Sequence, residues 1–146
     1  KNQQHIMQHP IYPCLWFDQQ AEAAARFYCS VFPHAAIVST NPVVTLFQVN
    51  GQTFMALNGG PKFTFNESVS FVVNCDTQEE IDRYWNLLTQ GGTESKCGWL
   101  KDKYGLSWQI VPSRLGEWMN DPVKGPRVMQ AFLQMTKFDI ATLENA

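Results

Sequence analysis

The chain predicts an α+β fold made of two βαβββ modules followed by a C-terminal helix. Three observations carry that expectation. An apolar strand ending in Asp, IYPCLWFD (11–18), and the amphipathic helix after it, QQAEAAARFYCSVF, are written again as SVSFVVNCD (68–76) and TQEEIDRYWNLLTQGG. The later segments NGQTFMAL and YGLSWQIV also match, with Gly51 over Gly105 and Met55 over Gln109. Apolar residues make up 45% and charged residues 16% of the 146, a balance that supplies a packed interior and argues against disorder.

The elements follow in order. The first helix places Ala24, Phe27 and Val31 at helical spacing; the second places Ile81, Tyr84, Trp85 and Leu88 at i, i+3, i+4 and i+7 and closes on Gly91 and Gly92. Asp76 or Thr77 serves as its N-cap, and Glu79 and Glu80 complement the dipole and complete a capping box. Setting Asp18 over Asp76, an offset of 58, pairs Phe27 with Trp85 as core anchors; further along the offset falls to 54. Three strands close the first module near AIVST, VVTLFQV and TFMAL, with turns at Asn41-Pro42 and Asn50-Gly51. In the second module they are fainter: ESKCGWLKD, a turn through Lys103-Tyr104-Gly105, then LSWQIVP; Trp99 and Lys101 to Tyr104 stand either as a rim closing over an anionic or aromatic ligand or, for Lys101 to Lys103, as a solvated hairpin tip. Beyond Pro112, turn signals at Asp121-Pro122 and Gly125-Pro126 precede Val128, Phe132, Met135 and Ile140, which predict one terminal helix.

The expected organisation is one domain over 1–146, with module one at about 10–60, module two at about 66–113 and a helical tail at 114–146. A single four-strand sheet cannot bury both faces, so the modules are expected to pair, within one chain or across a dimer.

Composition excludes several classes of function. The formal charge of −2, without a Lys/Arg cluster, offers no footprint for nucleic acid or an anionic membrane. Apolar runs fall well short of the roughly 20 residues that span a bilayer, and KNQQHIMQHP lacks the apolar core of a signal peptide, so a soluble, cytoplasmic protein is expected. Cys14, Cys29, Cys75 and Cys97 are far apart, with no C-x-x-C pair, and read as reduced thiols. No G-x-S-x-G and no glycine-rich phosphate loop is present; Gly59-Gly60-Pro61 is a plain loop.

The stretches PCLWFDQQAEAAARFY, FMALNGGP, SFVVNCDTQEEIDRYW and CGWLKDKYGLSWQIVP, set on this doubled layout, resemble the PhnB-like, 3-demethylubiquinone methyltransferase-domain branch of the vicinal oxygen chelate superfamily, along nearly the whole chain. That resemblance implies a cupped mixed sheet of the glyoxalase/bleomycin-resistance kind and a homodimer. It also implies where a metal would be held in the superfamily's active members, since two substrate oxygens there bind an open divalent ion that stabilises a developing anion. Those positions fall on Ile11, Ser68 or Val69, Met55 and Gln109. They lack the imidazole and carboxylate groups such an ion requires, so no metal and no cofactor is expected, and whether the protein is an enzyme stays open. His5 and His9 are separated from any helical pairing by Pro10, and His34 follows Pro33 in a turn.

The expectation is therefore a protein that binds a small molecule without the usual metal site. Strand alternation gives a pocket of Leu15, Phe17, Met55, Ser68, Ser70, Trp99 and Gln109, with Trp16 and Trp108 turned to the helices. Gln109 bonds either to a ligand or to neighbouring backbone or Ser107. The alternatives are a metal-dependent isomerase, lyase or dioxygenase of the superfamily, and a bleomycin-type drug-sequestering protein with Trp99 or Phe17 as an aromatic wall.

Overall fold

A computed structural model describes residues 6–146, which divide into two units, 6–64 and 65–146. His5 lies outside the described residues.

The first unit runs β1 (Cys14–Phe17), α1 (Ala21–Val31), β2 (Ala35–Thr40), β3 (Val44–Val49) and β4 (Gln52–Asn58), with strand order β1-β4-β3-β2. β1 lies parallel to β4, and the other pairings are antiparallel. Small residues on one face of α1, Ala21, Ala24 and Ala25, let the helix approach the sheet closely, while Tyr28 fills the remaining space by stacking on Phe47 at 6.1 Å. No side chain of its own caps this helix; the Ala21 N–H donates to Asn58 Oδ1 at 2.9 Å, so the last strand supplies the cap.

The second unit repeats the plan with β5 (Ser70–Cys75), α2 (Gln78–Thr89), β6 (Thr93–Glu94), β7 (Trp99–Lys101) and β8 (Ser107–Pro112), in the order β5-β8-β7-β6, again with one parallel pair, β5 and β8. Thr77 is the N-cap of α2, accepting from the Glu80 N–H at 3.2 Å, and Glu80 Oε1 reaches back to the Asp76 N–H at 3.1 Å. Ile81, Tyr84, Trp85 and Leu88 are buried, as their spacing requires. Burying an apolar side chain of this size stabilises by roughly 1.5–3 kcal/mol.

The register of the repeat differs from the expected one inside the helices. Phe17 and Cys75 hold equivalent strand positions, an offset of 58, but the buried residues Ala24, Tyr28 and Val31 match Ile81, Trp85 and Leu88 at 57. Tyr28 is therefore the counterpart of Trp85, and Phe27 is half-buried. The extra residue is absorbed in the first strand-to-helix connection, where Gln19 takes a positive φ of 63°. In the last strands Cys14↔Met55 and Val72↔Gln109 give Met55 and Gln109 the same place in the two sheets. The turns before them both rest on glycine at positive φ, 83° at Gly51 and 85° at Gly105.

Two expectations change. The segment 94–102 is not one strand: it breaks at Ser95–Gly98, where the Cys97 and Gly98 N–H groups donate to the Met135 and Thr136 carbonyls. The tail is three short helices, α3 (Leu115–Asn120), α4 (Gly125–Leu133) and α5 (Ile140–Glu144), because Met135 and Thr136 spend their carbonyls on that loop instead of continuing a helix. Phe138, outside the expected apolar stripe, is 2% exposed and lies against Gly98, where any Cβ would come within 2.6 Å of its ring. Gln78 fastens the tail to α2, donating to the Phe138 carbonyl at 2.9 Å and accepting from the Ile140 N–H at 2.8 Å.

Candidate functional site

Each sheet has one face covered by its helix and one turned away from it. In the second unit the level pairings Thr93↔Lys101↔Ser107↔Ser70 run across all four strands on the face away from α2, and Trp99↔Gln109↔Val72 form the next row. The opposite face carries Leu100, Trp108 and Ile110 into the core beneath α2.

At one end of this polar face lies a cleft of about 240 Å³ lined by Glu67, Thr93, Glu94, Ser95, Trp99, Leu100, Lys101 and Ser107. Lys101 Nζ meets Glu67 Oε2 at 3.2 Å, and that bond holds the Glu67 carboxyl below its ordinary range. Ser107 is 0% exposed, and its Oγ has no hydrogen-bond partner among the described residues. Such a hydroxyl costs stability unless something satisfies it, so its presence at a cleft is informative. Gln109 Nε2 donates to Ser70 Oγ at 3.0 Å, across the parallel pair, and not to Ser107.

The hairpin beside the cleft is held from inside. Asp102, expected in a solvated tip, is 3% exposed. Its Oδ1 accepts from the Tyr104 and Leu106 N–H groups at 2.8 and 3.1 Å, and its Oδ2 accepts from the Trp108 indole at 2.9 Å. This carboxylate sets the geometry of the turn whose two legs carry Lys101 and Ser107.

Of the expected pocket residues, Ser70, Trp99 and Gln109 share this polar face, and Ser68 precedes it in a turn, its Oγ donating to Asn66 Oδ1 at 2.6 Å. Met55 holds the matching place in the first unit. Leu15 and Phe17 are buried. At 5% and 3% exposed they share the face of β1 that looks to α1, because Leu15 pairs with Ala56, which pairs with Thr45, and Phe17 pairs with Asn58, the residue capping α1. The two tryptophans separate: Trp108 is on the helix side as expected, whereas Trp16 is on the other face with Met55 and Leu57. Its indole N–H donates to the Gly60 carbonyl at 2.8 Å and its ring meets Phe63 edge-on at 4.9 Å, which makes Gly59-Gly60-Pro61 a strap across that residue. The sequence places Lys101 near a cavity rim and Ser107 on the face of Gln109, but does not join them to Glu67 and Thr93. The period-two alternation through Gln109 points to Ser107, but Glu67 and Thr93 enter only through strand order.

The places that would hold a divalent ion do not fit one. Ile11 and Val69 are 81% and 60% exposed hydrocarbon, Met55 offers a thioether, and Gln109 a neutral amide. Among the described residues no group of three or more His, Cys, Asp and Glu stands close enough to hold a metal. His9 and His34 are both exposed. Also among the described residues, no helix is long and apolar enough to cross a membrane.

Two units of one strand order, each closing a parallel β-strand pair over one helix, define a protein of the vicinal oxygen chelate fold, the architecture of the glyoxalase/bleomycin-resistance proteins. Solved structures agree. FosX, the fosfomycin resistance protein of Listeria monocytogenes, solved with Mn(II), superposes with a TM-score of 0.56 at 11% identity, over 77% of this chain and 99% of that one. Protein PA1353 of Pseudomonas aeruginosa gives 0.57 at 19%, over 72% and 98%. More specifically, the chain belongs to the PhnB-like family described as 3-demethylubiquinone-9 3-methyltransferase, whose profile matches residues 9–111. The PhnB protein of Bacillus cereus is 34% identical over 70% of this chain and 99% of its own, with a TM-score of 0.64. No curated protein matches the chain.

Proposed function

We infer that the protein binds a small molecule on the polar strand face of its second unit, in the cleft between Glu67, Thr93, Trp99, Lys101 and Ser107. The observation that carries this reading is the fully buried, unpartnered hydroxyl of Ser107 lining a cleft of about 240 Å³. Ser70 and Gln109 extend the same face, Ser68 stands at its entrance strand, and Met55 occupies the corresponding position of the first unit.

The family's methyltransferase description is not the activity this backbone supports. Each sheet has a single parallel pair, and the strand-to-helix connections, Asp18-Gln19-Gln20 and Asp76-Thr77, contain no glycine, so a nucleotide-type cradle of the parallel-sheet kind has no backbone here. Metal-assisted chemistry finds no donor set at the matched positions. The reading as a drug-sequestering protein loses Phe17 as an aromatic wall and keeps Trp99.

The working form is proposed to be a cytoplasmic homodimer. The half-buried apolar side chains Trp16, Leu46, Met55 and Leu57 on the face of the first sheet away from α1, and four cysteines with no disulfide between them, support it. Sedimentation of the purified chain is expected to give twice the chain mass.

Native mass spectrometry of the purified protein, followed by NMR mapping of whatever small molecule is released and returned, tests the binding reading. Shifts gathered on residues 93–101 and 107 are expected. Stoichiometric metal, or a ligand whose shifts avoid these residues, would overturn it.

A further inference from the structure

Resting on that reading, we propose that the cleft selects an uncharged, hydroxyl-bearing molecule of about one ring, such as a monosaccharide or cyclitol, whose hydroxyl bonds Ser107 at the floor. Three features of the cleft narrow the chemistry.

Size comes first. A volume near 240 Å³ corresponds to about eight water volumes, below the roughly 300–1,000 Å³ of sites for drug-sized ligands. A single ring with its substituents fills it.

Charge is second. Lys101, the only cation of the lining, is already engaged by Glu67 at 3.2 Å, and Glu94, the remaining charged residue, accepts from the Trp85 indole at 2.5 Å. An anion would have to win Lys101 from Glu67. Whatever reaches Ser107 enters the dry end of the cleft, where an unpaired charge is costly and a neutral hydrogen-bonding group is not.

The third feature is the match of donors and acceptors. Thr93, Ser95 and Ser107 line the cleft with hydroxyls, and Ser70 continues their row across the sheet. A hydroxyl both donates and accepts, so a polyhydroxylated ligand satisfies several of these groups without requiring any to ionise. Half-buried Trp99 supplies a ring edge or face for the apolar C–H side of such a ligand.

The test is a protein-observed NMR titration of the full chain with glucose and myo-inositol, against their charged counterparts glucosamine and glucuronate, on the wild type and on Ser107→Ala. The uncharged probes are expected to shift residues 93–101 and 107 more strongly than the charged pair. Ser107→Ala is expected to weaken them about tenfold or more. Because the Ser107 hydroxyl has no protein partner, the same variant should keep or raise its ligand-free thermal midpoint, which separates lost binding from lost folding. Three outcomes overturn the proposal. Glucosamine or glucuronate alone binding the cleft would sink the ligand class and leave the binding reading standing. Probes bound equally by Ser107→Ala would remove Ser107 from the contact, and no shift from any probe together with a lowered midpoint would show that the hydroxyl holds only a structural water.

Discussion

Replacing Asp102 should unlock the hairpin that carries both Lys101 and Ser107. The carboxylate accepts from two backbone N–H groups and the Trp108 indole, and two of those donors, the Leu106 N–H and the indole, belong to residues 2% and 7% exposed. Asp102→Ala leaves those two without their acceptor, at roughly 1–3 kcal/mol each, for a net loss of about 4 kcal/mol. Recovering the hydration cost of a buried carboxylate offsets part of the gross loss of three charge-assisted bonds, which is why the net figure is smaller than their sum. Asp102→Asn keeps Oδ1 for the backbone but turns an NH₂ toward the indole N–H, donor against donor, and should lose about 2 kcal/mol. Urea unfolding measures both. With a slope of about 2 kcal/mol/M, the midpoint falls by about 2 M for the alanine variant and half that for asparagine. An Asp102→Ala midpoint within about 0.5 M of the wild type would refute the reasoning that this side chain organises the turn.

Three further outcomes are expected. Gly59→Ala brings a Cβ to within 2.4 Å of the Trp16 ring, so the strap over that indole must move. A shift in tryptophan emission and a loss of about 1–3 kcal/mol are expected, and unchanged emission would contradict the close packing. The Cys75 thiol is pushed up to about 12, first by burial and then by the Glu80 and Asp76 carboxylates, which leaves about one part in 10⁴ ionised at pH 8. In timed alkylation it should react after exposed Cys14, and equal rates would contradict its burial. Acid should loosen the tail. Lys137 and then Gln78 hold the Asp82 carboxyl below its ordinary value, as the Lys124 and Val123 N–H groups do for Asp121. The unfolded chain binds these protons first, so their stabilisation is complete above the ordinary Asp value of 3.8 and is lost as pH falls through the lowered folded values. The thermal midpoint should therefore drop in that window, less steeply in Asp121→Asn, and a midpoint that rises on acidification would reverse the sign.

The sequence by itself determined the repeat, the helix faces and the loss of metal-binding side chains at the matched positions, because these are local properties: a period of 3.6 or 2, a capping Thr with Glu three residues on, a side chain present or absent. It matched Met55 with Gln109 as repeat equivalents because both follow a glycine turn at the same spacing. Only the tertiary structure decided the rest. One residue absorbed at Gln19 moved the core anchor from Phe27 to Tyr28, and strand pairing turned Leu15 and Phe17 to the helix while bringing Thr93, Lys101 and Ser107 into one row. Asp102 looks like a surface charge until the turn folds its own donors around it. These outcomes depend on which strands lie side by side and on which face a one-residue shift exposes, and that information resides in contacts between distant parts of the chain.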